Sequence, residues 1–247
     1  MNYAVLTNLG DRQENEDYIK FQIKEDKAIF VLADGLGGHG DGQLASSTVC
    51  NAVMDLWNQK LTEHTPIEWR LAKLFDGAQE ALLTLQKEKG IEGKAKTTLV
   101  ILMIEGDSCI WGHIGDSRLY FLQNHKIVER TLDHSVPQML VNSGAIKEKK
   151  IRGHEDRSVI LRAMGTPWEE PRYEIGQIHQ VKLNDSFLLC SDGFWELIVE
   201  KQMEKLKKKA ASCQEWISMM AEIVKKNGQG KNMDNYSAIT VHIGDER

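Results

Sequence analysis

A chain of 247 residues fits one large domain or two small ones and easily buries a core. With 41% hydrophobic and 27% charged residues, four prolines and a formal net charge of −5, it has the make-up of an ordinary globular protein. That modest negative balance argues against a general nucleic-acid or anionic-membrane binder, which would usually show a basic stripe.

The elements read as short strands and long helices without a fixed repeat. Strands are expected over 3–6 and 18–23, flanking a polar turn at 12–17, and over 29–33. A glycine-rich loop follows, then a helix over about 43–61 with Leu44, Val49, Val53, Leu56 and Trp57 at helical spacing. A second helix, about 66–89, starts at a proline suited to a first turn and ends near Gly90. Strands resume over 97–104, 108–114, 118–123 and 126–130, the last two joined by a hairpin turn at 123–126. A short helix over 136–143 stops at Gly144, and the polar, aperiodic stretch 145–166 reads as a surface excursion. Strands over 172–180 and 186–190, helices over 194–208 and 212–227, and a strand over 236–243 complete the chain. The helices come in two blocks separated by strand runs, which suggests α+β packing rather than strict βαβ alternation. The lysines over 201–209 are most simply a solvated helix face.

Cys50, Cys109, Cys190 and Cys213 form no C-x-x-C pair, so neither a zinc site nor a disulfide framework is expected. Residues 1–5 show no basic stretch followed by an apolar one, and the longest apolar run, 99–104, is far too short to span a bilayer. The expectation is a cytoplasmic protein with no membrane or nucleic-acid partner.

The most informative feature is a series of acids. They stand at Arg12-Gln13-Glu14-Asn15-Glu16-Asp17, Asp34-Gly35, Gly115-Asp116-Ser117-Arg118, Asp192-Gly193 and Asp234-Asn235, and the last four adjoin apolar strand runs. Acids at the ends of core strands can converge on one sheet edge. Gathering ionised carboxylates there is unfavourable unless something positive sits among them. A pair of hard divalent cations, which prefer carboxylate, carbonyl and water oxygens, answers that need.

Gly35-Leu36-Gly37-Gly38-His39-Gly40 also matches the G-x-G-x-x-G pattern of a dinucleotide loop. Asp34 and Asp41 flank it where a diphosphate needs positive potential, and no following strand brings a ribose-binding acid, so the nucleotide reading is rejected. Glycine there lets the backbone turn tightly and approach a ligand closely.

In order, Arg12-x-x-x-Glu16-Asp17, Ala33-Asp34-Gly35-Leu36-Gly37-Gly38-His39, Gly115-Asp116-Ser117-Arg118-Leu119-Tyr120, Thr131-Leu132-Asp133-His134-Ser135, Arg162-Ala163-Met164-Gly165, Ser191-Asp192-Gly193 and Asp234-Asn235 resemble motifs of a known family. It is the metal-dependent protein phosphatases, or type 2C protein serine/threonine phosphatases, in their compact bacterial form. The resemblance implies a four-layer α-β-β-α sandwich, two antiparallel sheets flanked by helices, as a single catalytic domain over 1–247 with a flap at about 145–166. It implies Mg or Mn as cofactor, two ions per chain with provision for a third. Asp34 would bridge two metals, Asp192 and Asp234 complete one, and the Gly35 carbonyl hold the other. Glu16 and Asp17 match the acidic pair supporting the second metal, and Asp116 with Asp192 would hold the weaker third. Ser237, where threonine is expected, and Leu36, where methionine is common, are departures that remove no ligand.

The resemblance also implies the activity: hydrolysis of phosphoserine and phosphothreonine esters in proteins by a hydroxide bridging two divalent metals, with Arg12 binding the phosphate. The partners are then phosphorylated proteins, substrates of a serine/threonine kinase, and the enzyme works as a monomer. His39 is a candidate acid for the leaving alkoxide, and a metal-bound water is an equal alternative. His113 reads as structural, and Cys190, in an apolar strand, as a poor nucleophile. Two other classes remain in view: an inactive phosphoprotein-binding relative of the same fold, against which intact Asp34, Asp192 and Asp234 argue, and a two-metal nuclease, which would want basic residues around the acids.

Overall fold

The computed structural model describes residues 1–37, 40–59 and 65–245. The chain begins with β1 (Asn2–Asn8), β2 (Asp17–Lys24), β3 (Lys27–Leu36), α1 (Asp41–Asn58) and α2 (Ile67–Lys89). Next come β4 (Lys96–Thr97), β5 (Leu99–Glu105), β6 (Ser108–Ile114), β7 (Arg118–Gln123), β8 (Lys126–Arg130), α3 (Val136–Asn142) and a 3₁₀ turn, Glu148–Gly153. β9 (Glu174–Ile175), β10 (His179–Gln180), β11 (Ser186–Cys190), α4 (Asp192–Trp195), α5 (Glu200–Lys209), α6 (Cys213–Gly228) and β12 (Tyr236–His242) follow.

Alternation along β3 dictates the layering. Ile29, Val31 and Ala33 pack on one side and Ala28, Phe30 and Leu32 on the other, all fully buried. A strand apolar on both faces needs a cover on each. On the first face lie α1 and α2, through Val49, Val53, Leu71, Leu74, Phe75 and Leu82. On the second lies another sheet, through Leu119, Phe121, Phe187, Leu189, Ile239 and Val241. That sheet runs β1-β12-β11-β7-β8, and its outer face is covered by α4, α5 and α6 through Trp195, Met203, Trp216 and Met220. The sheet holding β3 has the order β10-β6-β5-β3-β2, with β4 beside β3 and β9 beside β6. Every pairing is antiparallel, giving the α-β-β-α sandwich.

Three local expectations are corrected. β3 does not stop at Ala33 but continues through Leu36, because β4 supplies partners for Gly35 and Leu36. The strand expected over 172–180 is two short pieces. Between the pairs Ile175↔Gly112 and His179↔Cys109, one side advances four residues and the other three, so a bulge interrupts it. The helix expected over 194–208 breaks after Trp195. The Arg152 Nε–H donates to the Trp195 carbonyl and the Asn227 amide to that of Leu197, taking acceptors a continuous helix would use. The excursion 145–166 is anchored: Ile151 is buried in the α4–α6 core, and Thr97 bridges Met164. No helix among the described residues is long and apolar enough to cross a membrane.

Candidate metal centre

The acids meet because the strands that carry them end on the same side of the sandwich. Asp34 follows Phe30 and Leu32 on the inter-sheet face of β3, and Asp17 lies directly across from it in register on β2. Asp192 opens α4 after β11, Asp234 precedes β12, Asp116 sits in the turn between β6 and β7, and Arg12 and Glu16 lie between β1 and β2. Arg12, Glu16, Asp34, Gly35, Asp116, Asp192 and Asp234 all border one open cavity of about 640 Å³. Asp17 lies behind them, 6% exposed.

Local hydrogen bonds, most of them to the backbone beside the acids, hold this arrangement. The Asp34 N–H donates to Thr98 Oγ1 (2.9 Å), and its carbonyl accepts from Thr98 N (2.9 Å) and Thr97 Oγ1 (2.8 Å). Asn235 ties down the acidic loop. Its Oδ1 accepts from Glu16 N (2.9 Å), and its amide nitrogen donates to the carbonyls of Leu9 (2.9 Å) and Glu14 (3.0 Å). Gly35 donates its N–H to the Glu16 carbonyl, and a Cβ there would run into the Gly42 carbonyl at the start of α1, so the position excludes a side chain. Asp17 Oδ2 accepts from Ser191 Oγ (2.8 Å), while its Oδ1 is buried without a partner. The Asp116 carbonyl accepts from Trp195 Nε1 (2.9 Å), and that indole lies 3.4 Å from the Arg118 guanidinium carbon, measured to the ring centre. Arg118 is clamped by both oxygens of buried Asp133, at 2.7 and 2.6 Å.

The electrostatics are unbalanced. Burial, with Asp17, Asp192, Asp116 and Asp234 around it, holds the Asp34 carboxyl well above the usual carboxylate range. Asp116 is raised in the same way by burial, Asp192 and Asp133. Burial pushes Asp17 up to about 7, and burial with Asp234 pushes Asp192 up to about 6. Glu16 is raised by burial, then by Asp234 and Glu14. Arg12 is the one cation lining the cavity among the described residues; its Nη2 lies 2.8 Å from Asp234 Oδ2, with both side chains about half exposed. Arg12 at the mouth and the buried Arg118, itself paired with Asp133, offset these acids too little to outweigh burial and their mutual repulsion. An all-oxygen donor set, mutually destabilised acids and an orphaned Asp17 oxygen are what a hard divalent cation would satisfy.

Of the residues singled out by sequence, Arg12, Glu16, Asp34, Gly35, Asp116, Asp192 and Asp234 come together, with Asp17 behind; His39 lies outside the described residues. Cys190 is fully buried, and burial drives its thiol far up, away from a nucleophilic thiolate. Sequence reasoning gave no role to the side chains of Asn235, Thr98, Ser191 and Trp195. Asn235 and Ser191 carried a signal in their places beside Asp234 and Asp192; Thr98 and Trp195 are ordinary strand-end and core residues whose contacts arise only in the fold.

This arrangement has close counterparts. The family model for protein phosphatase 2C matches residues 7–236. The serine/threonine phosphatase Stp of Listeria monocytogenes is 30% identical over 235 residues, covering 93% of this chain and 90% of that protein. Among solved structures, the Mycobacterium tuberculosis serine/threonine phosphatase PstP/Ppp superposes with a TM-score of 0.85 at 26% identity, covering 99% of each chain. The catalytic domain of PstP in complex with two manganese ions superposes with a TM-score of 0.80 at 25% identity, covering 99% of this chain and 98% of that one. With its fold, its acids and the run of its sequence all in agreement, the chain belongs to the protein phosphatase 2C family of metal-dependent phosphatases.

Proposed function

We propose that the chain hydrolyses phosphoserine and phosphothreonine esters in proteins, using two Mg²⁺ or Mn²⁺ ions held in the acid-lined cavity. The observation that carries this reading is the convergence of Asp34, Asp116, Asp192 and Asp234 on one cavity with Arg12 at its mouth. The relatives' names, serine/threonine phosphatase, support the substrate class.

Asp34 would be the shared ligand, Asp192 and Asp234 would complete one site, and the Gly35 carbonyl, supported by Glu16 and Asp17, would form the other. Asp116 with Asp192 would provide a third, weaker site. When bound, the cations supply hydroxide at neutral pH and offset charge on the phosphoryl oxygens. Arg12 binds and orients the phosphate: its planar fork can exchange the Asp234 oxygen for phosphoryl oxygens without leaving the cavity mouth. The Thr97, Thr98 and Asn235 hydrogen bonds keep the carboxylates in place as phosphate enters and leaves. His39 stays the chain's own candidate proton donor to the leaving alkoxide, beside solvent. The polypeptide acts as one catalytic domain with 145–166 as a flap at the cavity, where Ser158 and Ile160 line the wall. It works as a cytoplasmic monomer on proteins phosphorylated by a serine/threonine kinase.

The test is release of phosphate from p-nitrophenyl phosphate and a phosphothreonine peptide with Mn²⁺, Mg²⁺ or EDTA, beside Asp192→Ala. Metal-dependent turnover of the peptide, abolished by EDTA and by the substitution, is expected. Turnover that survives chelation would overturn the reading.

A further inference from the structure

Outside the acid nest, the described residues hold one other group of metal-ligating side chain types: His113, His134 and Glu174. Two features argue against an ion there. The imidazoles are stacked, 13° from parallel with centres 4.6 Å apart, so their in-plane lone pairs do not converge on one point. Hydrogen bonds also fix the protons. The Gly115 N–H donates to His134 Nδ1 at 3.1 Å, so Nδ1 carries the lone pair and the proton of the neutral ring sits on Nε2, facing Glu174 Oε1 at 3.1 Å. His113 Nε2 lies 2.7 Å from the Leu132 carbonyl, which can only accept, so its proton is there.

What His134 does instead is grip the turn that presents Asp116. Its ring accepts the Gly115 N–H, and its own N–H donates to the Gly115 carbonyl at 2.9 Å, so one residue engages both polar groups of Gly115. Gly115 has φ +100°, and a Cβ there would lie 2.6 Å from the Thr98 side chain, so the turn has little freedom to adjust. The same histidine is fastened to the flap. Its carbonyl accepts from Leu161 N (2.7 Å), and Glu174 also receives Arg162 Nη1 (3.1 Å).

We infer that His134 is a positioning residue for Asp116: its Nδ1 acceptor, whose lone pair is free because the ring proton sits on Nε2, sets the Gly115–Asp116 turn so that the Asp116 carboxyl is aimed at the weakest cation of the centre. This rests on the proposed reading of Asp116 as a metal acid. Asparagine carries its amide oxygen where Nδ1 sits, whereas glutamine reaches only the Nε2 position, so the two substitutions separate the acceptor from mere bulk and polarity.

The experiment is calorimetric titration of Mn²⁺ into the metal-stripped full chain, with hydrogen exchange of the Gly115 amide followed by NMR. D116A is expected to lose the weakest Mn²⁺ component. H134F is expected to weaken that component about ten- to a hundredfold, the usual effect of losing a partner behind a ligand, while the tighter components stay and Gly115 exchange accelerates. H134N should restore both readouts and H134Q neither. If H134F does not fold, the contrast between H134N and H134Q carries the test. An H134F isotherm like that of the unsubstituted protein, with an ion lost in D116A, would overturn the positioning role alone, as would equal rescue by H134Q. A D116A isotherm that keeps every component would remove Asp116 from the metal centre, and the inference with it.

Discussion

Arg12 is the residue whose role differs most between the free cavity and its proposed use. It pairs with Asp234 at 2.8 Å, but both groups are about half exposed, so the pair is screened and contributes little to stability. In the proposed reaction it would supply the phosphate with a two-pronged donor. Arg12→Ala is therefore expected to lower kcat/KM for a phosphothreonine peptide by about a hundredfold, the order seen when one donor to developing charge is removed, with Mn²⁺ affinity unchanged. Steady-state kinetics beside calorimetry checks this; full activity would remove Arg12 from the chemistry. At this scale the sequence was informative wherever a residue type is demanded by chemistry, as with Asp34 and Asp192. It marked Ser191 only by its place beside Asp192 and not by its contact, because the hydroxyl meets Asp17 only where β11 ends opposite it in the other sheet.

At the scale of elements, β3 couples core to site. Its alternation buries Phe30 and Leu32 between the sheets and so delivers Asp34 to the same side two residues later. The alternation itself could be read from the sequence; the cross-strand pairing of Asp34 with Asp17 could not, because register depends on a partner strand. Gly35→Ala is expected to abolish Mn²⁺ binding and activity, since relieving its clash with the Gly42 carbonyl moves α1 against the Glu16 backbone; a variant with an unchanged isotherm would contradict that. The pair Arg118–Asp133, 1% exposed on both sides, fastens β7 to the segment before α3. Removing one partner of such a pair costs about 3–5 kcal/mol. Arg118→Met should accordingly lower Tm by roughly 6–20 °C in a chain of this size, and adding Asp133→Leu should recover much of the loss. A single variant that melts like the parent would show the pair to be energetically idle. The break between α4 and α5 was hidden in the sequence for a related reason. Phe194, Ile198 and Leu206 keep an apolar helical face, and the interruption comes from Arg152 and Asn227, remote residues that take the carbonyls.

For the whole molecule, the centre is a place where folding opposes electrostatics. Asp17 and Asp192 stand at about 7 and about 6 in the fold, against a value near 4 in an unfolded chain. Between those limits the folded, metal-free protein binds more protons than the unfolded one. The contribution of these acids to stability is thus fully present below about pH 4 and is lost as pH rises through 6 and 7. Divalent cations act with the opposite sign, because they bind the deprotonated acids. The gain in Tm on adding Mn²⁺ is expected to grow between pH 5 and 7.5. At a hundredfold excess over Kd a single site contributes about 2.7 kcal/mol, or roughly 5–10 °C here. A gain that shrinks with rising pH would contradict the assignment. The layered architecture was legible only through the resemblance, since two blocks of helices and several strand runs fit more than one α+β arrangement.

Most directly, crystals of the metal-stripped protein soaked in Mn²⁺ and measured at the manganese absorption edge would locate the ions. Two anomalous peaks about 3.5–4 Å apart, one on each side of the Asp34 carboxylate and one of them reached by Asp192 and Asp234, are expected. Peaks elsewhere on the surface, or a cavity without any, would contradict the claim that these acids were gathered to hold metal.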